Sequence, residues 1–134
     1  MKLSIIGTGN VGLVTGACVS GRGHEVRCAD IDSDRIERLE RLELDSQEPG
    51  LADLVARNVE AGRLSFTTDT PAAAAEEEVV VLCVGTPQGE DGKPDLERIR
   101  SATRDIAASI RGFTLIVVKS TVAVGTTETL RQLV

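Results

Sequence analysis

The sequence predicts an α/β fold, a doubly wound parallel sheet between two layers of helix in a three-layer αβα stack. Three observations carry this expectation. Short apolar runs alternate with helix-period stretches along all 134 residues, as expected of repeated βαβ units. The first apolar run leads directly into Gly7-Thr8-Gly9-Asn10-Val11-Gly12, a glycine spacing suited to a tight strand-to-helix turn. Polar and glycine-rich residues then gather after Ile6, Ala29, Val84 and Val118. These are the carboxyl ends of predicted strands, where open parallel sheets place their ligands.

Lys2–Ile6 reads as the first strand, followed by a helix over 10–20 that Gly21 and Gly23 bring to an end. Glu25–Ala29 reads as the second strand. Asp32 then offers an N-cap side chain to a helix carrying Ile36, Leu39 and Leu42 at helical spacing. A further helix over 51–61 is opened by Glu48-Pro49-Gly50, and Leu64–Thr67 reads as a short third strand. The alanines at 72–75 belong to a helix. The unbroken apolar run over 79–84 predicts a strand covered on both faces. Residues 88–94 predict a surface loop, and Asp95 caps a helix carrying Leu96, Ile99, Ile106 and Ile110. Leu115–Val118 is the fifth strand, and 125–134 begins one more helix. Right-handed crossovers gather the five strands into one sheet with helices on both faces.

This length suits one domain, spanning 1–134, with a real core. Its 41% hydrophobic and 27% charged residues are ordinary for a folded chain and argue against disorder. No apolar run approaches the roughly 20 residues that cross a bilayer. The apolar start is too short for a signal peptide and runs into glycines rather than a cleavage site. A cytoplasmic location with no membrane partner is the expectation. Net charge is −6 with no stripe of Lys and Arg, which argues against nucleic acid as a partner. A small anion is still compatible, because backbone N–H groups bind phosphate without lysine. Cys18, Cys28 and Cys83 are widely spaced with no CxxC, so each is expected to be a reduced, buried core thiol. No residue spaced to activate them is legible, and no catalytic residue is assigned. One histidine (His24, in a turn), no Trp and no Tyr leave no metal site and no base-stacking platform.

The glycine loop is where the chemistry is legible. Gly7 permits the turn, Gly9 lets a pyrophosphate approach the backbone, and Gly12 lets the helix pack close. The amides of Asn10 and Val11 then become phosphate donors at the positive end of the helix. Asp30 ends the second strand 18 residues past Gly12, close to the roughly 20 of a dinucleotide fingerprint. A carboxylate there accepts ribose hydroxyls and repels a 2′-phosphate, favouring NAD over NADP. The combination predicts a Rossmann-type NAD-binding domain. FAD and S-adenosylmethionine use related loops, and Asp30 could serve simply as a helix cap. Arg35 stands one turn into the next helix, placed to flank the adenosine or to act as an exposed helix charge.

Several segments, spread over essentially the whole chain, carry a resemblance. They are Gly7 through Leu13, Ala29-Asp30-Ile31-Asp32, Glu48-Pro49-Gly50-Leu51, Val84-Gly85-Thr86-Pro87 and Lys119-Ser120-Thr121-Val122, with Asp95-Leu96 following a Gly/Lys loop. Together they resemble the UDP-glucose/GDP-mannose dehydrogenase family, and most closely its UDP-glucose-oxidising members. The resemblance implies that Val84, Gly85 and Thr86 line the diphosphate and nicotinamide ribose, and that Ser120 and Thr121 stand beside the nicotinamide. On residue chemistry alone, Thr86 and Ser120 are also ordinary turn residues at strand exits, and Lys119 a snorkelling side chain. The chain departs from the family at Leu44-Asp45-Ser46-Gln47, where a Gly and a Pro-containing segment are usual. It departs again at Ala123, where Pro is usual; that loosens the loop and leaves the hydroxyls in place.

Family enzymes oxidise the C6 alcohol of a nucleotide sugar to a carboxylate with NAD, through a thioester on a downstream cysteine. The resemblance therefore implies the N-terminal cofactor part of a longer enzyme, inactive alone. The nucleotide sugar would be a partner only in the complete enzyme, whose central helix and sugar-nucleotide domain would follow. An autonomous NAD(H)-binding regulatory module is the alternative. The cofactor part of a UDP-N-acetylmannosamine or GDP-mannose dehydrogenase is another. Oligomeric state stays open, a homo-oligomer included.

Overall fold

The computed structural model describes residues 1–90 and 92–134; Asp91, in the predicted 88–94 loop, lies outside the described residues. The predicted strands all form: β1 (Lys2–Ile6), β2 (Glu25–Ala29), β3 (Leu64–Thr67), β4 (Val79–Leu82) and β5 (Leu115–Val118). They make one parallel sheet in the order β3-β2-β1-β4-β5. Chain direction across the sheet therefore reverses between β1 and β4, and the loops leaving these two strands open a crevice there.

Alternation along each strand sends side chains to two separate cores. Leu3, Ile5, Val26, Cys28 and Val81 pack on one face beneath α1 (Asn10–Gly21), α2 (Ser33–Glu40) and α3 (Leu51–Glu60). Ile6, Ala29, Val80 and Leu82 pack on the other, with α4 (Thr70–Ala74), α5 (Glu97–Ser109) and α6 (Thr126–Arg131). β4 is covered on both sides, as its unbroken apolar run predicts. β5 is not. It is an edge strand, and Leu115 and Val117 on its α1-side face are exposed.

Helix ends follow local chemistry, and several differ from the periodic pattern. The Asp32 carboxylate accepts the Arg35 amide at 3.0 Å, capping α2 as expected. That helix stops before Leu42, which adopts φ 61°, because Leu42 and Glu43 donate back to Leu39 and Arg38 in a left-handed C-cap. β4 ends at Leu82 rather than 84, and the Cys83 amide closes its ladder with β1 by donating to the Ile6 carbonyl at 2.7 Å. Asp95 acts one residue before the α5 cap, accepting the Glu97 amide at 2.9 Å. Helix α6 is shorter than the 125–134 expected.

One cysteine expectation is wrong. Cys28 and Cys83 are buried, but Cys18 is exposed. Helix α1 turns Gly12, Leu13, Gly16, Ala17 and Ser20 to the sheet, and Cys18 falls on the opposite face with exposed Val11. Small residues on the inner face let the helix lie close. A Cβ added at Gly16 would sit 2.6 Å from the Cys28 Sγ.

Candidate functional site

The β1–α1 turn is held by backbone contacts that leave no room for side chains at two of its glycines. Gly7 adopts φ +98°, and its amide donates to the Ala29 carbonyl at 2.8 Å. A Cβ at Gly7 would lie 2.6 Å from the Cys83 carbonyl oxygen, and one at Gly12 only 1.8 Å from that of Gly7. Gly9 differs: nothing lies within 4 Å of its added Cβ. As the N-cap of α1 it supplies no side-chain acceptor, so the first-turn amides of Asn10 and Val11 are left for an external anion.

Asp30 stands beside this turn and is tied to it. Its Oδ2 accepts the Thr8 amide at 2.7 Å and the Thr8 hydroxyl at 2.9 Å, while Oδ1 accepts the Asp32 amide at 3.1 Å. Arg35 Nη1 approaches Oδ2 at 3.4 Å, and its Nη2 lies 3.8 Å from Asp32. Burial pushes the Asp30 carboxyl upward. The Thr8 and Asp32 amides, the Thr8 hydroxyl and the Arg35 guanidinium together outweigh burial and hold it below the usual carboxylate range. Oδ1 has one of these bonds and keeps acceptor capacity for a further donor.

A cleft of about 790 Å³ opens over the β1/β4 crevice. Gly7, Gly9, Asn10, Val11, Asp30, Arg35, Val84 and Gly85 all line it. Gly12 lies under the turn instead. Thr86, Ser120 and Thr121 stand outside this lining, where Thr86 Oγ donates to the Thr121 carbonyl at 2.8 Å and Ser120 Oγ to that of Val84 at 2.7 Å. Their hydroxyl protons thus stitch the β4 exit to the β5 exit.

Several lining residues escaped the sequence reading. Ile31, 85% exposed, offers an apolar surface beside Asp30, and Arg98, Ser101 and Asp105 of α5 form the far wall. Thr8, the main partner of Asp30, had one available signal: it is the only hydroxyl inside the glycine loop. A second cavity of about 480 Å³ adjoins the first across Arg35, between α1, α2 and the 41–50 loop. Arg35 and Arg38 line it together with Glu43, Asp45 and Glu48, a mixture that attracts no anion strongly. Among the described residues no acidic, His or Cys cluster could hold a metal. None of their helices is long and apolar enough to cross a membrane.

Amides open at a helix start, a glycine with free space above it and a carboxylate at the next strand end form a cradle that fits a dinucleotide. Comparison with known proteins decides which dinucleotide. The model of the UDP-glucose/GDP-mannose dehydrogenase family, NAD binding domain, matches residues 1–134. The chain belongs to this family. It is 46% identical over 135 residues to UDP-glucose 6-dehydrogenase of Rhizobium meliloti, covering 100% of this chain and 31% of that protein. GDP-mannose 6-dehydrogenase of Azotobacter vinelandii is 40% identical over 129 residues, covering 94% and 30%. A ternary complex of GDP-mannose dehydrogenase from Pseudomonas aeruginosa superposes with TM-score 0.92 at 39% identity, over 97% of this chain and 30% of that one. UDP-glucose dehydrogenase from Pyrobaculum islandicum does so with TM-score 0.92 at 36% identity, over 98% and 32%. The chain spans about a third of the length of the curated relatives it matches. It is thus the NAD-binding domain of a nucleotide-sugar dehydrogenase family, and NAD is its cofactor.

Proposed function

We propose that this domain binds NAD for the oxidation of UDP-glucose to UDP-glucuronate by a longer, cytoplasmic enzyme. The observation that carries the cofactor side is the pairing of uncapped amides at Asn10 and Val11 with Asp30, both on the 790 Å³ cleft. The amides take the diphosphate. Asp30 Oδ1 accepts a ribose hydroxyl, and its carboxylate, with Asp32 nearby, repels the extra phosphate of NADP. Ile31 and Arg35 flank the adenine end, Val84, Gly85 and Thr86 the nicotinamide ribose, and Ser120 and Thr121 the nicotinamide. Thr86 and Ser120 act there through their position and free acceptor lone pairs, because their protons are engaged. NAD supplies the hydride acceptor; the chain supplies binding, orientation and charge.

The sugar nucleotide and the chemistry on its C6 alcohol are assigned to parts of the enzyme outside these 134 residues. Two of the chain's three thiols support that division, and the third, Cys18, lies outside the cleft lining. Burial pushes Cys28 up to about 12 and raises Cys83 as well, so neither is a nucleophile at neutral pH. UDP-glucose is preferred as substrate because the UDP-glucose 6-dehydrogenase of Rhizobium meliloti, at 46%, is more similar than the GDP-mannose enzyme at 40%.

Calorimetric titration tests the reading. NAD should bind more tightly than NADP, and Asp30→Ala should weaken NAD by about tenfold or more while narrowing that preference. Unchanged affinities in Asp30→Ala would remove the ribose role. NAD reduction by this chain alone with UDP-glucose should be undetectable; clear turnover would place the catalytic groups inside it.

A further inference from the structure

Ser46 lies in the loop between α2 and α3, within the segment that departs from the family pattern. Its hydroxyl stands 2.7 Å from Asn10 Oδ1 and 3.4 Å from the Glu48 amide. The hydroxyl oxygen accepts from the Glu48 N–H, and its single proton is directed at Asn10 Oδ1. This bond crosses 36 residues of chain. In it the Asn10 carboxamide turns its Oδ1 toward the loop. With Oδ1 held by Ser46, the amide nitrogen Nδ2 is the free end, and it has no partner among the described residues. Asn10 lines both cavities, so this free donor stands at the first turn of α1, where the larger cleft meets the smaller one.

We propose that Ser46 is a positioning residue for dinucleotide binding: it holds the Asn10 side chain so that Nδ2 adds a further N–H donor to the diphosphate. The proposal rests on the NAD reading above. Asn10 is exposed, and without Ser46 its amide would sample several rotamers and either end. Binding would then bear the cost of ordering it. Ser46 removes that cost before the ligand arrives. The second cavity has a role on this view. Asn10 and Ser46 both line it, and their bond ties the 41–50 loop to the phosphate-binding turn.

The test titrates the whole chain with NAD, ADP and adenosine, with thermal melting as a control. Ser46→Ala should weaken NAD and ADP by about three- to tenfold, leave adenosine unchanged and keep the wild-type melting temperature. Ser46→Thr keeps the hydroxyl and should restore NAD affinity to within about twofold. Asn10→Asp retains an acceptor for Ser46 but replaces the N–H donor with a negative charge, so it should weaken NAD more than Asn10→Ala does. Three results would each overturn the proposal: unchanged NAD affinity in Ser46→Ala, an equal loss for adenosine, or Asn10→Asp binding as well as Asn10→Ala. Failure of the wild-type chain to bind NAD would overturn the dinucleotide reading itself, and this proposal with it.

Discussion

Asp30 and Glu77 are carboxyl groups at opposite ends of one sheet, and their surroundings drive them in opposite directions. Asp30 follows β2 at the carboxyl end, with a side chain 12% exposed. Glu77 precedes β4 at the amino end and is 8% exposed. Burial raises both carboxyls and so does not separate them. Donors do. Asp30 receives two amides and a hydroxyl, whereas Glu77 Oε2 is buried with no hydrogen-bond partner. Asp30 is held below the usual range, while burial raises Glu77 despite the opposing charges of Arg27 and Lys2. At the carboxyl ends of parallel strands the turn amides converge, so a charge there is supported. At the amino end it is merely tolerated.

The comparison can be broken in order of effect. Asp30→Ala should be the most damaging. It leaves the Thr8 amide, in a residue 3% exposed, without its acceptor, a loss of about 1.5–3 kcal/mol at neutral pH by urea denaturation. Because the folded-state pKa of Asp30 is depressed, its contribution is present above about pH 4. It is lost as pH falls through the folded value, so wild type and variant should converge in acid. Thr8→Val removes only the hydroxyl bond. It should cost about 1 kcal/mol and move the Asp30 carboxyl upward in an NMR titration.

Glu77→Gln runs the other way. A carboxyl raised on folding contributes most when protonated, and that contribution disappears as pH rises through its folded value. The variant should therefore be more stable than wild type at neutral pH, by about 1 kcal/mol or less. The advantage should vanish below about pH 4; an advantage that persisted there would mean that packing, not charge, is the cause. Arg35→Ala should have the smallest effect on stability. Its side chain is 41% exposed, and removing an ion pair of that kind costs under about 1 kcal/mol.

Most of this fold was legible because it is written locally. Each strand carries its own apolar run, and Asp32 caps α2 through a contact three residues away. The glycine loop was legible for the same reason. What could not be read depends on residues brought together from afar. That α5 walls the cleft follows from β4 lying beside β1, and no local pattern specifies that pairing. Ser46 reaching Asn10 is of this kind too. Leu42 was misread because its left-handed cap is stabilised by bonds to Leu39 and Arg38, overriding a periodicity that looked helical. Thr86 and Ser120 were read as cofactor residues from family resemblance, and their stitching of two strand exits appears only once β4 and β5 are paired.

The outward turn of Cys18 has a practical consequence. Of the three thiols, Cys28 and Cys83 are buried and pushed up by that burial, whereas Cys18 is exposed, so a maleimide dye at neutral pH should attach first at position 18. That position lies eight residues along α1 from Asn10, about 12 Å at the helical rise. A fluorophore there would report on ligand arrival at the phosphate-binding turn without occupying it. Within these 134 residues labelling thus needs no cysteine engineered in or out.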